Sequence, residues 1–148
     1  MPIYSRSILA LSGALLVASC TDTPGEISRD TKPFDDISAT THISMLGTEP
    51  FWGIDITPDG EGFVARYTSP EDLEGSQFAV SRFAGNNGIG FSGSLDGKAL
   101  QIALTPGQCS DGMSDRTYPY TATVALGDAV LYGCGHTSDQ PFTGDEAP

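Results

Sequence analysis

The densest run of chemically capable side chains is residues 109–118, CSDGMSDRTY. Asp111, Ser114 and Asp115 offer oxygens that a cation could use. Calcium takes six to eight such ligands in a loop that spaces them closely. Here the two carboxylates stand four positions apart, with Met113 between them and the cationic Arg116 next door, which opposes a metal ion. The competing reading is a loop whose Asp and Ser side chains hold backbone amides, with Asp115 paired to Arg116 or Arg66. The only histidines are His42 and His136. Zinc sites draw three or four ligands from Cys, His and carboxylates, so two histidines argue against one. A Ser-His-Asp hydrolase would have to recruit one of the same two, and nothing in their local sequence supports that. Gly88-Ile89-Gly90-Phe91-Ser92-Gly93 matches the dinucleotide fingerprint, which must run from a strand into a helix. It is followed by SLDGKALQI, a strand-like alternation around a turn, so a bent glycine-rich strand is the better reading. No cofactor and no metal are expected.

The elements that must position these residues have period two. Ile54 and Ile56 alternate with Asp55 and Thr57, and Phe63, Ala65 and Tyr67 with Val64, Arg66 and Thr68. Phe78 and Val80, Ile89, Phe91 and Leu95, then Leu100, Ile102 and Leu104 follow. Tyr120, Ala122, Val124 and Leu126 continue the apolar series, and Val130 and Tyr132 finish it. This is strand patterning. Pro58-Asp59-Gly60, Asp96-Gly97 and Gly127-Asp128 punctuate it as hairpin turns. Ser69–Gly75 carries an N-cap signal for a single helical turn. With a first strand near His42–Leu46, about eight short strands result, and they must close or stack to hide their edges. The expected fold is all-β, a small antiparallel up-and-down barrel, with a two-sheet β-sandwich as the alternative.

Residues 1–20 read MPIYSRSILALSGALLVASC. The apolar run Ile8–Ala18 is too short for a permanent membrane span, which needs about 20 residues, and has the length of a signal-peptide core. Its ending, Val17-Ala18-Ser19-Cys20, resembles the lipobox of bacterial lipoproteins. That resemblance implies cleavage before Cys20 and its acylation, as with palmitate. It gives a membrane partner through the lipid anchor, since two or more acyl chains hold stably. Thr21 follows where an Asp would favour inner-membrane retention, so the resemblance points to the outer membrane, facing the periplasm. The expected organisation is a signal peptide over 1–19, a lipidated tether over 20–40, a barrel over 41–135 and a loose tail over 136–148. The chain carries seven basic and nineteen acidic residues. Without Arg6 the balance is six against nineteen, a net −13. Such a charge argues against nucleic acid and for cationic partners. Once Cys20 is assigned to lipid, Cys109 and Cys134 remain, and an even pair in an exported protein reads as a disulfide.

Three blocks then stand out in order: GTEPFW at 47–52, CSDGMSDRTYPY at 109–120, and LYGCG at 131–135. They resemble a family of uncharacterised bacterial envelope lipoproteins, similar to META-type lipoproteins. The resemblance spans nearly the whole barrel region and implies an envelope location without assigning an activity. It fits an arrangement in which Glu49, Trp52, Asp111, Ser114, Asp115, Arg116 and Tyr118 form a candidate binding surface at one barrel end. Trp52 would be either a plug of the barrel or the floor of a site. The functional expectation is a non-catalytic, monomeric interaction or ligand-binding module whose partner is a cationic protein or a small molecule. Inhibition of a cationic lysozyme is the alternative, and a hydrolase the more remote one.

Overall fold

The computed structural model describes residues 32–145. The expected signal peptide, Cys20 and most of the expected tether, with residues 146–148, lie outside them. Eight strands run β1 (Ile43–Thr48), β2 (Phe51–Asp59), β3 (Gly62–Ser69), β4 (Asp72–Ala84), β5 (Ile89–Leu95), β6 (Lys98–Ser110), β7 (Thr117–Leu126) and β8 (Ala129–Thr137). Each pairs antiparallel with the next, and β1 closes on β8. The fold is a closed up-and-down barrel and not a sandwich. Closure removes every free edge from the main ladder.

The alternation dictates the interior. Ile43, Met45, Ile54, Ile56, Ala65, Phe91, Leu100, Ile102, Leu104, Tyr120 and Val124 are buried together. Full burial of each larger aliphatic or aromatic side chain contributes about 1.5–3 kcal/mol. Asp96-Gly97 and Gly127-Asp128 form the expected two-residue turns, with Leu95 opposite Lys98 and Leu126 opposite Ala129. Asp96 and Gly97 have φ values of 51° and 77°, the positive pair that a primed turn needs.

Several local expectations are corrected. The β2–β3 turn lies one residue later, at Gly60-Glu61, because Pro58 stays in the ladder opposite Phe63. Pairing of β2 with β1 ends at Ile56, so the missing amide of Pro58 costs no bond on that side. Ser69–Gly75 makes no helical turn. Ser69 pairs with Asp72 across Pro70-Glu71, and the Asp72 carboxylate accepts bonds from the Gly75 amide (3.0 Å) and Ser76 hydroxyl (3.1 Å). The capping chemistry is present, but it serves a bulged hairpin. On β8, Leu131 packs against the core, while Val130 and Tyr132 are exposed.

Both boundaries of the barrel also move. Ile37, assigned to the tether, is buried in the core. Its carbonyl accepts from Arg82 Nη2 (2.7 Å), and the Phe34 amide donates to Gly85 (2.8 Å). This segment closes one barrel end. At the other boundary β8 runs to Thr137, and Thr143 forms a two-way backbone bridge with Thr117 (2.8 and 2.9 Å). The expected loose tail is therefore packed through that bridge, because Phe142 has an aromatic partner in Tyr118.

Candidate functional site

The Asp-Ser-rich segment belongs to a hairpin extension. The β6–β7 register shifts between Pro106 and Cys109, and the end of β6 bends toward β8. There Cys109 and Cys134 form a disulfide, with Cα atoms 5.5 Å apart. Beyond it, the Asp111 carbonyl accepts from Thr48 Oγ1 at the end of β1 (3.0 Å). The extension is thus a flap fastened to two further strands.

Asp111 organises the flap tip. Its Oδ1 accepts from the amides of Met113 and Ser114, both at 2.9 Å. Its Oδ2 accepts from the hydroxyls of Ser114 (2.7 Å) and Tyr118 (3.3 Å). The Met113 amide bond lowers its pKa most; burial opposes it, and the Ser114 and Tyr118 bonds add enough to hold the value down at about 2. The carboxylate is occupied by the loop itself. Of the two sequence readings, this is the amide-holding one. Among the described residues no group of three or more His, Cys, Asp or Glu is arranged to hold a metal.

Behind the flap lies a second cluster, separate from the barrel core. Tyr118 is fully buried and sits 5.9 Å from the His136 ring and 5.5 Å from Phe142, centroid to centroid. His136 meets Phe142 edge-on at 5.2 Å, and the Arg116 guanidinium stacks 4.3 Å over Phe142. Burial pushes the His136 pKa down, and neighbouring His42 and Arg116 add to this while Asp55 opposes it. Its Nδ1 is buried without a hydrogen-bond partner.

The opposite side of the flap tip borders a cleft of about 590 Å³. Three segments distant in sequence build it: Thr48 and Phe51 flanking the β1–β2 turn, Ser69, Pro70 and Leu73 around the β3–β4 turn, and Asp111 with Met113. Its lining is mostly apolar. Phe51, Leu73 and Met113 stand 53%, 81% and 61% exposed at its rim. Trp52 lies at the back, 4% exposed. Its indole packs where Gly47 and Gly133 leave room; a Cβ at either glycine would collide with the ring. Trp52 is part of the buried core and also part of the cleft lining.

The predicted surface therefore divides. Trp52 and Asp111 reach the cleft, and Glu49 is exposed on the turn between Thr48 and Phe51. Ser114 serves Asp111 and accepts from the Arg116 amide (3.2 Å), and Asp115 is exposed beside them. Arg116 and Tyr118 belong to the cluster behind the flap, so the seven residues do not converge on one surface. Sequence reasoning missed Phe51, Leu73 and Met113. The available signal was a large apolar residue in each of three turn segments, where polar residues are usual.

Elsewhere, His42, Asp55, Arg66 and Gln77 line a polar furrow on the barrel wall. Asp55 accepts from Ser44 Oγ (2.8 Å) and Arg66 Nη2 (3.0 Å), with His42 Nε2 at 4.0 Å. A serine, a histidine and an aspartate meet here, but the hydroxyl donates to the carboxylate and not to the imidazole. Nucleophile activation requires the second arrangement. The glycine fingerprint is a strand: the Phe83 ring covers Gly90, where no Cβ would fit. No family model, curated protein or solved structure matches the chain.

Proposed function

We propose that the protein is a lipid-anchored envelope protein, outer-membrane-attached through Cys20, whose barrel acts as a non-catalytic binding module. The observation that carries the binding role is the cleft. Three large apolar side chains are exposed around one concavity, although burial would favour hiding them. The scaffold beneath is fixed by barrel closure, the Cys109–Cys134 bridge and the Asp111 hydrogen bonds. A pre-organised surface loses little freedom on binding. The three sequence blocks that resemble envelope lipoproteins supply Phe51 and Trp52, the flap, and the Gly133-Cys134 support, all around this site.

Photocrosslinking in cells tests the role. A photoreactive residue at position 73 or at position 113 should capture the same envelope component. One at Glu61, on a turn outside the cleft lining, should not. Identical adducts at all three positions, or none, would refute the binding role. The anchor is tested separately: Cys20→Ser should release the chain from membranes and abolish acyl labelling, and retention of that variant would contradict it.

A further inference from the structure

The charge around the cleft narrows the partner. Glu49 and Glu71 are exposed on the β1–β2 and β3–β4 turns that lead into Phe51 and Leu73, and Glu74 is exposed on β4 next to Leu73, all three outside the lining itself. No lysine or arginine lines the cleft. The cations among the described residues are placed elsewhere: Arg66 on Asp55, Arg82 on the Ile37 carbonyl, Arg116 over Phe142, Lys98 opposite Leu95 at the β5–β6 turn, and Lys32 on Asp35. An apolar cleft flanked by one sign of charge favours partners of the opposite sign and disfavours like charge.

We propose that the cleft accepts a cationic polypeptide segment, with an apolar side chain seated against Phe51, Leu73 and Trp52 and flanking Lys or Arg residues facing the three glutamates. This rests on the cleft being a binding site. Apolar contact supplies the anchor, and the glutamates supply orientation and discrimination. The same flanking carboxylates disfavour an anionic membrane surface as the occupant.

The test uses the full chain carrying Cys20→Ser, which removes the acyl acceptor, and three fluorescently labelled peptides read by anisotropy. One has a Phe-Leu pair flanked by lysines, one replaces the lysines by glutamine, and one replaces the Phe-Leu pair by serine. The lysine-flanked peptide should bind about tenfold more tightly than the glutamine-flanked one at physiological salt, and added salt should erase the difference. Combined Glu49→Gln, Glu71→Gln and Glu74→Gln should equalise the two peptides while leaving apolar binding. Phe51→Ser with Leu73→Ser should abolish binding of both; these side chains are exposed, so circular dichroism should show an unchanged barrel. Equal binding of the first two peptides overturns the cationic partner but leaves the cleft as a site. Equal binding of all three peptides, or binding insensitive to the Phe51 and Leu73 changes, overturns both. Stronger binding to anionic lipid vesicles than to the lysine-flanked peptide also overturns the polypeptide assignment.

Discussion

Asp111→Asn removes the charge at the centre of the flap while keeping the side chain's size. The amide retains an oxygen for the Met113 and Ser114 amides, but it replaces the Oδ2 acceptor of the Ser114 and Tyr118 hydroxyls with a donor and loses the charge whose hydrogen bonds lower the aspartate pKa from 3.8 to about 2. At about 1.36 kcal/mol per pKa unit, that shift corresponds to at most about 2.5 kcal/mol. The carboxylate is partly exposed, and solvent screening reduces the expected loss to about 1–1.5 kcal/mol. The sign follows from linkage. The unfolded chain binds the proton first as pH falls, so the contribution is complete above 3.8 and disappears as pH falls through about 2. Urea unfolding midpoints of both chains should therefore differ by this amount near neutrality and converge in acid. Asp111→Ala also removes the amide acceptor and should cost about 2 kcal/mol or more, since each lost cap is worth about 1 kcal/mol. A wild-type–Asn difference that stays constant from neutral pH to about pH 2 would refute the electrostatic account of the flap.

Other perturbations address separate parts of the molecule. Cys109→Ser with Cys134→Ser opens a cross-link between residues 25 apart, which chain entropy values at about 3.5 kcal/mol; a midpoint unchanged relative to wild type would contradict the staple. Ile37→Ala should cost about 2–4 kcal/mol in the same assay, as for other buried aliphatic truncations. A cost near zero would mean that the segment before β1 does not close the barrel. His136 has its pKa pushed below 6.5 by burial, so stability should fall as pH drops below about 6.5, where the unfolded imidazole protonates first. His136→Phe should flatten that slope, and an unaltered slope would place the sensitivity elsewhere.

The barrel was legible because its interior is written in alternating residues such as Leu100, Ile102 and Leu104, and because Asp96-Gly97 and Gly127-Asp128 encode their turns locally. The frame of β8 was not. Val130, Leu131 and Tyr132 are consecutively apolar, and only pairing with β7 decides that Leu131 packs toward the core. Phe34, Ile37 and Phe142 sit in segments without a period. Their burial depends on gaps left by distant strands, which no local pattern records. The chemistry of Asp111 was readable as an amide-holding loop, but the bend that folds that loop against β8 and β1 arises from the register shift after Pro106. The cleft was the least legible feature, since its three apolar rim residues come from turns brought together only by closure.

The most direct measurement uses Trp52, the chain's single tryptophan, as a fixed reporter in the cleft lining. A lysine-flanked peptide whose apolar residue carries a bromine should quench Trp52 emission in proportion to its binding, with the unbrominated peptide as control. Saturable, bromine-dependent quenching that disappears in the Phe51→Ser, Leu73→Ser chain is the predicted result. Saturated peptide binding with Trp52 emission unchanged by bromine would place the partner elsewhere on the barrel and contradict the central claim.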